Sequence, residues 1–191
     1  MAIITLNNNS LSSVTALPAG VGGKVLQIVN GTDGTTYGIS ISAADADYAG
    51  STAFSITPTS ASSKIMIHFF VGQACNATGS GFRIRLYRQI NSTGGFTLVT
   101  GLSGTGVGSR FGALTGNSGN VADGYEDGNR TRNHGGTVVD TPNTINLVEY
   151  KLYYGQGDGT GSIYVNRTEN DTDANYTHRS LTHVTLLEIG T

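Results

Sequence analysis

This sequence is poor in the residues that cross-link a chain or hold it in a membrane. Its 191 residues contain one cysteine, Cys75, which excludes an intramolecular disulfide framework and a cysteine-based metal cluster within one chain. Tryptophan is absent, proline occurs only 3 times, and no run approaches the about 18 apolar residues of a membrane span. We therefore expect the fold to be held by apolar packing, hydrogen bonding or association between chains.

Charged side chains are scarce as well. They make up 13% of the chain, against about 25% in ordinary soluble domains, and the formal net charge is -2 at pH 7. Such a balance gives no electrostatic attraction to nucleic acid or to an anionic membrane. We expect neither of them as a partner.

Glycine is abundant, with 28 residues, and short alternating segments lie between the glycine-rich stretches. In Val148–Tyr154, and again in Ile163–Val165, inward and outward positions alternate with a period of two, which is the pattern of half-buried β-strands. The Gly-Asp-Gly sequence at 157–159 supplies the positive φ angles of a tight return. Thr144–Arg167 is therefore predicted to be a β-hairpin.

Two other segments indicate how the strands are covered. Lys64–Val71 is apolar on both faces, which predicts a strand covered on two sides. The strand from Phe82 is predicted to place Arg83, Arg85 and Tyr87 on an outer face that meets water or a partner. No helical period persists for three turns. Roughly nine or ten short strands with glycine-rich turns predict an all-β fold, an antiparallel β-sandwich of the jelly-roll kind.

Residues 1–23 differ from the rest because none of their side chains is charged. Two interpretations stay open for them: a flexible terminus, or an extended arm that becomes ordered only against another chain. We treat them as an extended N-terminal arm in front of a β-sandwich domain of residues 24–191. The candidate anchoring residues of the arm are Ile3, Ile4, Leu6, Leu11, Val14 and Leu17.

A second unusual stretch, Thr115–Gly136, has almost no apolar residue. A polar stretch of this length is typical of a binding loop or of a segment ordered by a neighbouring subunit, although a plain surface loop has the same composition. Its aromatic, charged and amide groups suit contacts with sugars or with another protein. The candidate contact residues are Tyr125, Glu126, Asp127, Arg130, Arg132 and His134.

No catalytic pattern stands out, so we expect a protein that is not an enzyme and uses no cofactor. The glutamates give no sign of the paired carboxylates of glycoside hydrolysis, there is no G-x-S-x-G, and the histidines lack metal-ligand spacing. Asp171, Asp173 and Asn175 match the first three oxygen positions of a calcium loop, but Tyr176 stands where glycine is needed. A solvated acidic turn is favoured there over Ca²⁺ bound between subunits.

Four landmarks carry a further likeness: FSITPTSASSKIMIHFFV from Phe54, FRIRLYR from Phe82, VVDTPNTINLVEYKLYY from Val138, and GSIYVNR from Gly161 with a terminal LTHVTLLEI. Together with the opening NNNSLSSVTALPAG and GKVLQIV, they resemble a recurrent family of bacteriophage virion proteins from marine and cyanobacterial phages. Members of that family are described as tail-fibre, head-fibre or structural proteins. The likeness covers most of the chain, and its motifs record strands and turns.

This resemblance implies a jelly-roll domain of the tumour-necrosis-factor or C1q type, usually trimeric and mounted on a particle by its N-terminal arm. A jelly roll that trimerises needs a second apolar surface. Phe70, Leu147, Tyr153 and Tyr164 are the candidates for it, with ordinary placement on the second face of a two-layer core as the alternative. Because no collagen-like, coiled-coil or β-helical shaft is present, a short knob, short fibre or capsid decoration protein is favoured over a long fibre.

We therefore expect a non-enzymatic virion structural protein, assembled in the host cytoplasm. Its expected partners are copies of itself and other capsid or tail proteins, with host surface glycans as a further candidate. Two other classes stay open. A polysaccharide-active tail enzyme would turn over host envelope polysaccharide, and a cellular C1q-like or lectin module would be secreted with occupied glycosylation sites.

Overall fold

The computed structural model describes residues 24–42, 46–75, 82–108, 110–117, 131–156 and 161–190. The arm predicted at residues 1–23 lies outside this part of the chain. No helix in these ranges is long and apolar enough to cross a membrane. The elements are β1 (Lys24–Asp33), β2 (Tyr37–Ile41), β3 (Tyr48–Ala49), β4 (Phe54–Ile56), β5 (Lys64–Cys75), β6 (Phe82–Ile90), β7 (Thr93–Leu98), a 3-10 turn (Thr100–Leu102), β8 (Thr115–Asn117), β9 (Arg132–Asp140), β10 (Val148–Gln156), β11 (Gly161–Val165) and β12 (Thr182–Gly190).

The strands form two six-stranded antiparallel sheets, which we call the first and the second sheet. In the first sheet β5 pairs with β9 on one side and with β12 and β11 on the other, and β1 and β2 flank β12 and β11. In the second sheet β10 pairs with β6 on one side and with β4 and β3 on the other, and β7 and β8 flank β6. Strand β1 thus lies beside β12, and β4 beside β10, as in a jelly roll. The predicted fold class is confirmed.

The core lies between the two sheets and is built from alternate residues of their central strands. Successive side chains of a strand point to opposite faces, so each strand contributes every second residue to this core. The buried apolar residues of β5, β6 and β10 are Ile65, Ile67, Phe69, Val71, Phe82, Ile84, Leu86, Val148, Tyr150, Leu152 and Tyr154. These are the inward positions that the alternation predicts.

The hairpin predicted over Thr144–Arg167 is wrong. Both of its strands exist, but β10 lies in the second sheet and β11 in the first, where β11 pairs with β2 and β5. Alternation shows which side chains of a strand face the core, yet two strands that face one core from opposite sheets alternate in the same way as two neighbours. The chain therefore passes from one sheet to the other between Gln156 and Gly161.

The loop predicted over the polar stretch Thr115–Gly136 is shorter than expected, because both ends of the stretch form strands. Its first three residues form β8 on β6, and its last five belong to β9, which runs along β5. Glycine and polar residues are accommodated because both strands lie at the edge of a sheet, where few side chains need burial. Arg132 and His134 are therefore strand residues and not loop residues.

Candidate interaction surface

The outer face of the first sheet presents its side chains in rows that run across four strands. Strands β1, β12, β5 and β9 are adjacent in that order and antiparallel. Residues that lie directly opposite each other in an antiparallel pair point to the same face, with Cβ atoms about 4.5–5.5 Å apart. The register of the strands therefore decides which side chains meet on this surface.

One of these rows is entirely apolar. Ile28 of β1 pairs with Leu187 of β12, which pairs with Met66 of β5. Met66 in turn pairs with Val139 of β9. Ile28 is 59% exposed and Val139 41%, while the two middle residues are half-buried by their neighbours. We call Ile28, Leu187, Met66 and Val139 the apolar row.

The apolar surface continues toward the start of β1. Val25, which is 49% exposed, pairs with the half-buried Ile189 of β12. Lys64 pairs with Ile189 from the other side. Among the described outward positions of these four strands, Lys64 is the one lysine, arginine, aspartate or glutamate. An exposed sheet face with so little charge is typical of a contact surface between proteins.

The adjacent row on this face is polar but is satisfied within the sheet. Thr185 Oγ1 donates to Asn30 Oδ1 at 2.9 Å, and His68 Nδ1 lies 2.9 Å from Thr137 Oγ1. The next row contains Phe70, which is 38% exposed and pairs with His183. The polar row therefore separates the apolar row from an exposed ring, and neither is covered by the described part of the chain.

The four candidates for an oligomer surface do not form a single patch. Phe70 and Tyr164 lie on the outer face of the first sheet, where the Arg167 guanidinium stacks 4.3 Å from the centroid of the Tyr164 ring. Tyr153 lies on the outer face of the second sheet. Leu147, half-buried, directly precedes β10, and its carbonyl oxygen accepts a hydrogen bond from the backbone of Asn91.

On the second sheet Tyr153 belongs to a packed polar cluster. Its ring stacks on that of Tyr87, with centroids 3.9 Å apart and planes 23° apart. The Tyr87 hydroxyl donates to the Asp47 carboxylate at 2.8 Å, and the same carboxylate pairs with Arg83 and Arg85. Burial and the bond to Asp47 raise the pKa of Tyr87 to about 12. Tyr153 thus has its own partner within the chain.

The candidates in the polar stretch are divided by the structure. Arg132 is exposed on β9, whereas His134 points inward and meets the Phe82 ring edge-on at 4.8 Å. Burial, with a contribution from Arg132, lowers the pKa of His134. The arm candidates and the remaining loop candidates lie outside the described residues: Ile3, Ile4, Leu6, Leu11, Val14, Leu17, Tyr125, Glu126, Asp127 and Arg130.

The sequence alone does not single out Ile28, Leu187 or Val139. A signal for Leu187 exists in β12, where Val184 and Leu186 face the core while Leu187 and Ile189 face outward. This is the same two-sided apolar pattern that predicted a doubly covered strand at β5. In the structure, no described residue covers the outer faces of β5 and β12. Their outward apolar residues therefore form part of an exposed surface.

Several carboxylates of the described residues are held by hydrogen bonds and ion pairs within the chain. Glu188 is fully buried and accepts hydrogen bonds from Thr59 and Gln27. Glu149 accepts one from Ser92 at 2.7 Å. Both oxygens of Asp171, the first residue of the calcium-like sequence, bind the Arg179 guanidinium at 2.9 and 2.8 Å. Where a carboxyl pKa is shifted among these residues, it is lowered, the opposite of what a general acid requires.

Neither a protein-family model nor a curated protein matches this chain. Among solved structures, a chain from the structure of infectious bursal disease virus, Gx strain, superposes with a TM-score of 0.39 at 12% sequence identity. The match covers 87% of this chain and 38% of that chain, so this chain spans well under half the length of the one it matches. A likeness at that level carries no functional argument.

Proposed function

We propose that this protein is a non-enzymatic structural component of a virus particle that associates with copies of itself through the outer face of its first sheet. The single observation that carries the self-association is the apolar row, which spans four strands and is left uncovered by the described residues. The virion role is supported by the sequence landmarks of phage structural proteins, whose implied jelly-roll fold this chain has.

The energetic case rests on removing the apolar row from water. Fully burying one Val, Leu, Ile or Met side chain contributes about 1.5–3 kcal/mol, so four of them in each copy supply a substantial driving force. We take the partner that covers the apolar row to be a second copy of this chain. Two such uncharged surfaces can pack against each other without repulsion between like charges. Lys64 at the border would remain at the solvated rim of such a contact.

The finer features of this proposal are a trimeric knob, short fibre or decoration protein that is docked to the particle by residues 1–23. Three copies arranged around an axis can bury the same face on each subunit and close without exposed ends. The arm is suited to docking because it carries apolar residues and no charged side chain. Backbone pairing with a neighbouring protein would then add to its apolar contacts.

Exchanging a single residue of the apolar row tests the self-association. We expect Ile28→Glu to convert the oligomer to a monomer, since each copy would have to bury an unpaired carboxylate. Ile145→Glu is the matched control: Ile145 is 60% exposed, against 59% for Ile28, but lies between β9 and β10 and outside the four strands of the apolar row. The mass in solution is measured by light scattering coupled to size exclusion, or by sedimentation.

The outcomes separate clearly. An oligomer in the unmodified chain and in Ile145→Glu, with a folded monomer in Ile28→Glu, supports the proposed contact. A monomeric unmodified chain at high concentration, or equal masses for all three proteins, contradicts it. Circular dichroism on each variant shows whether the monomer has kept its β-structure.

Copy number on the particle distinguishes the two main virion roles. A decoration protein occurs in many regularly spaced copies and stabilises the capsid, whereas a fibre tip occurs in few copies and binds the host. Imaging of intact particles or quantitative gel analysis gives this number. Absence of the protein from purified particles would contradict both roles.

A further inference from the structure

The outer face of the first sheet carries two histidines beside the apolar row. His68 of β5 lies opposite Thr185 of β12, and His183 of β12 lies opposite Phe70 of β5. The two imidazoles are therefore diagonal neighbours on adjacent strands, with Cβ atoms about 7 Å apart. Both side chains are exposed and belong to the two rows that follow the apolar row. We call His68 and His183 the histidine pair.

The four strands of this surface keep their carboxylates on the other side of the sheet. Their acidic residues are Asp33 at the end of β1, Asp140 at the end of β9 and Glu188 in β12, and all three are buried. Strand β5 contains no acidic residue. A charged imidazole on the outer face would therefore find no carboxylate among the described outward positions of β1, β12, β5 and β9.

The other charged groups along this face are positive. Lys64 is exposed at the start of β5, and the Arg167 guanidinium stacks on the ring of Tyr164 on β11, the next strand of the same sheet. In the connection that leads into β12, the carboxylate of Asp171 is held by Arg179. His183 itself forms no hydrogen bond or ion pair with the described residues.

A stable contact through the apolar row also covers the histidine pair. Such contacts bury about 800 Å² on each partner. Four strands are together about 19 Å wide and neighbouring rows lie about 6.8 Å apart, so one row covers roughly 130 Å² of the sheet. The contact must therefore extend over several rows. The row of His68 adjoins the apolar row, and the row of His183 contains the exposed ring of Phe70, which adds apolar area to the contact.

The charge of the histidine pair depends on pH in the range where proteins remain folded. An exposed imidazole is largely neutral at about pH 8 and largely charged at about pH 5.5. His68 Nδ1 lies 2.9 Å from Thr137 Oγ1, and a hydroxyl can either donate or accept, so this contact suits both protonation states. Protonation therefore changes the charge of the surface without requiring a change in the sheet.

Inside a contact between two copies, these charges oppose association. Each imidazolium would lose water and lie near Lys64 and the same positive groups of the second copy, with no carboxylate on either face to compensate. The assembled form consequently binds fewer protons than the separate chains. By linkage, a falling pH shifts the equilibrium toward the separate chains.

We infer that the histidine pair makes the self-association of this chain reversible by acid, so that copies held together near pH 8 separate near pH 5.5. This inference rests on the proposed function, because it concerns the regulation of the same contact. The apolar row supplies the driving force at both pH values, and the histidine pair supplies the dependence on pH.

Sedimentation of the full chain at pH 8 and pH 5.5, at one ionic strength, tests the inference. We expect the dissociation constant of the oligomer to rise roughly tenfold or more at the lower pH. The double variant His68→Gln with His183→Gln should have the same constant at both pH values, because glutamine forms hydrogen bonds but takes up no proton. His178→Gln is the matched control: His178 is also exposed but lies between β11 and β12, so this variant should keep the full pH dependence.

The outcomes separate this inference from the proposed function. An oligomer at pH 8 whose dissociation constant is unchanged at pH 5.5 overturns the inference and leaves the self-association intact. A double variant that dissociates in acid as the unmodified chain does also overturns it, as does a loss of β-structure at pH 5.5 by circular dichroism. A monomer at pH 8 contradicts the self-association and the inference together.

Discussion

Glu188 shows how a buried carboxylate is held in this fold. It faces inward from β12 and accepts hydrogen bonds from the amide and hydroxyl of Thr59, both at 2.7 Å, and from Gln27 Nε2 at 2.7 Å. Burial alone would raise the pKa of Glu188, but these hydrogen bonds lower it to about 2. The carboxylate thereby fastens the segment after β4 to both β1 and β12.

Replacing this carboxylate should cost stability in a pH-dependent way. Because the folded pKa lies below the ordinary 4.5, the contribution is complete above pH 4.5 and is lost as the pH falls toward 2. We expect Glu188→Gln to lower the free energy of unfolding at pH 7 by about 3 kcal/mol. Urea unfolding at pH 7 and at pH 3 measures this.

Glu149→Gln is the matched control for that experiment. Glu149 is half-buried and accepts one described hydrogen bond, from Ser92, so its replacement should cost less than about 1 kcal/mol. The gap between the unmodified chain and Glu188→Gln should narrow at pH 3. A gap that stays constant between pH 7 and pH 3 would argue against a carboxylate held in its charged form.

At the scale of elements, the return between β6 and β7 depends on left-handed backbone. Asn91 and Ser92 have φ of 55° and 52°, and Gly94 and Gly95 follow with 74° and 77°. Left-handed backbone brings Cβ close to the following carbonyl oxygen. Glycine tolerates this conformation because it has no Cβ, and asparagine because its short polar side chain can form local hydrogen bonds. The turn therefore requires residues that tolerate left-handed backbone, and the hydrogen bond from Ser92 to Glu149 adds a side-chain contact.

Alanine substitutions at two glycines distinguish backbone strain from steric clash of the added Cβ. A Cβ at Gly94 or at Gly101 would meet no atom within 4 Å, but only Gly94 of the two has a positive φ. We expect Gly94→Ala to lower the free energy of unfolding by about 1–2 kcal/mol. Gly101→Ala should leave it unchanged or raise it by up to about 1 kcal/mol. Thermal unfolding measures both, and equal effects would refute the role of φ.

Sequence patterns predict the faces of these strands better than their partners. Phe69 and Tyr150 are buried where alternation places them, because the pleat fixes the side of each residue. Which strands pair depends on the path of the whole chain and not on the alternation within each strand. Alternation alone therefore predicts that the consecutive strands β10 and β11 pair, although they lie in different sheets. Asn166 shows another limit: it directly follows β11 on the polar phase, yet it is fully buried and holds Asp33 and Thr35 by their carbonyl oxygens.

The interaction surface was predictable only in part for the same reason. Phe70 stands out within β5, a strand that is apolar on both sides. Ile28 and Val139 become candidates only because they lie in one row with Leu187 and Met66. That row forms when four strands that are distant in sequence pair in this register.

At the scale of the whole molecule, the two sheets present unlike surfaces in opposite directions. The first sheet shows the apolar row, and the second shows the arginines of β6 with the Tyr87 and Tyr153 stack. If copies associate through the first sheet, the outer face of the second sheet points away from the contact.

Removal of residues 1–23 tests the role proposed for the arm. All described strands of both sheets lie at or after Lys24, so we expect the shortened chain to fold, keep its oligomeric state and melt within a few degrees of the full chain. It should no longer join particles, because the apolar docking segment is gone. Particle incorporation is measured against the full-length chain produced in parallel, and normal incorporation of the shortened chain would contradict the anchoring role.

The pairing of β1 with β12 has a consequence for the order of events during synthesis. On a translating ribosome, the first strand of the sandwich must wait without its partner until the last strand has emerged. Ile28 and Leu187 belong to these two strands, so the apolar row is complete only after β12 has been synthesised and has paired with β1.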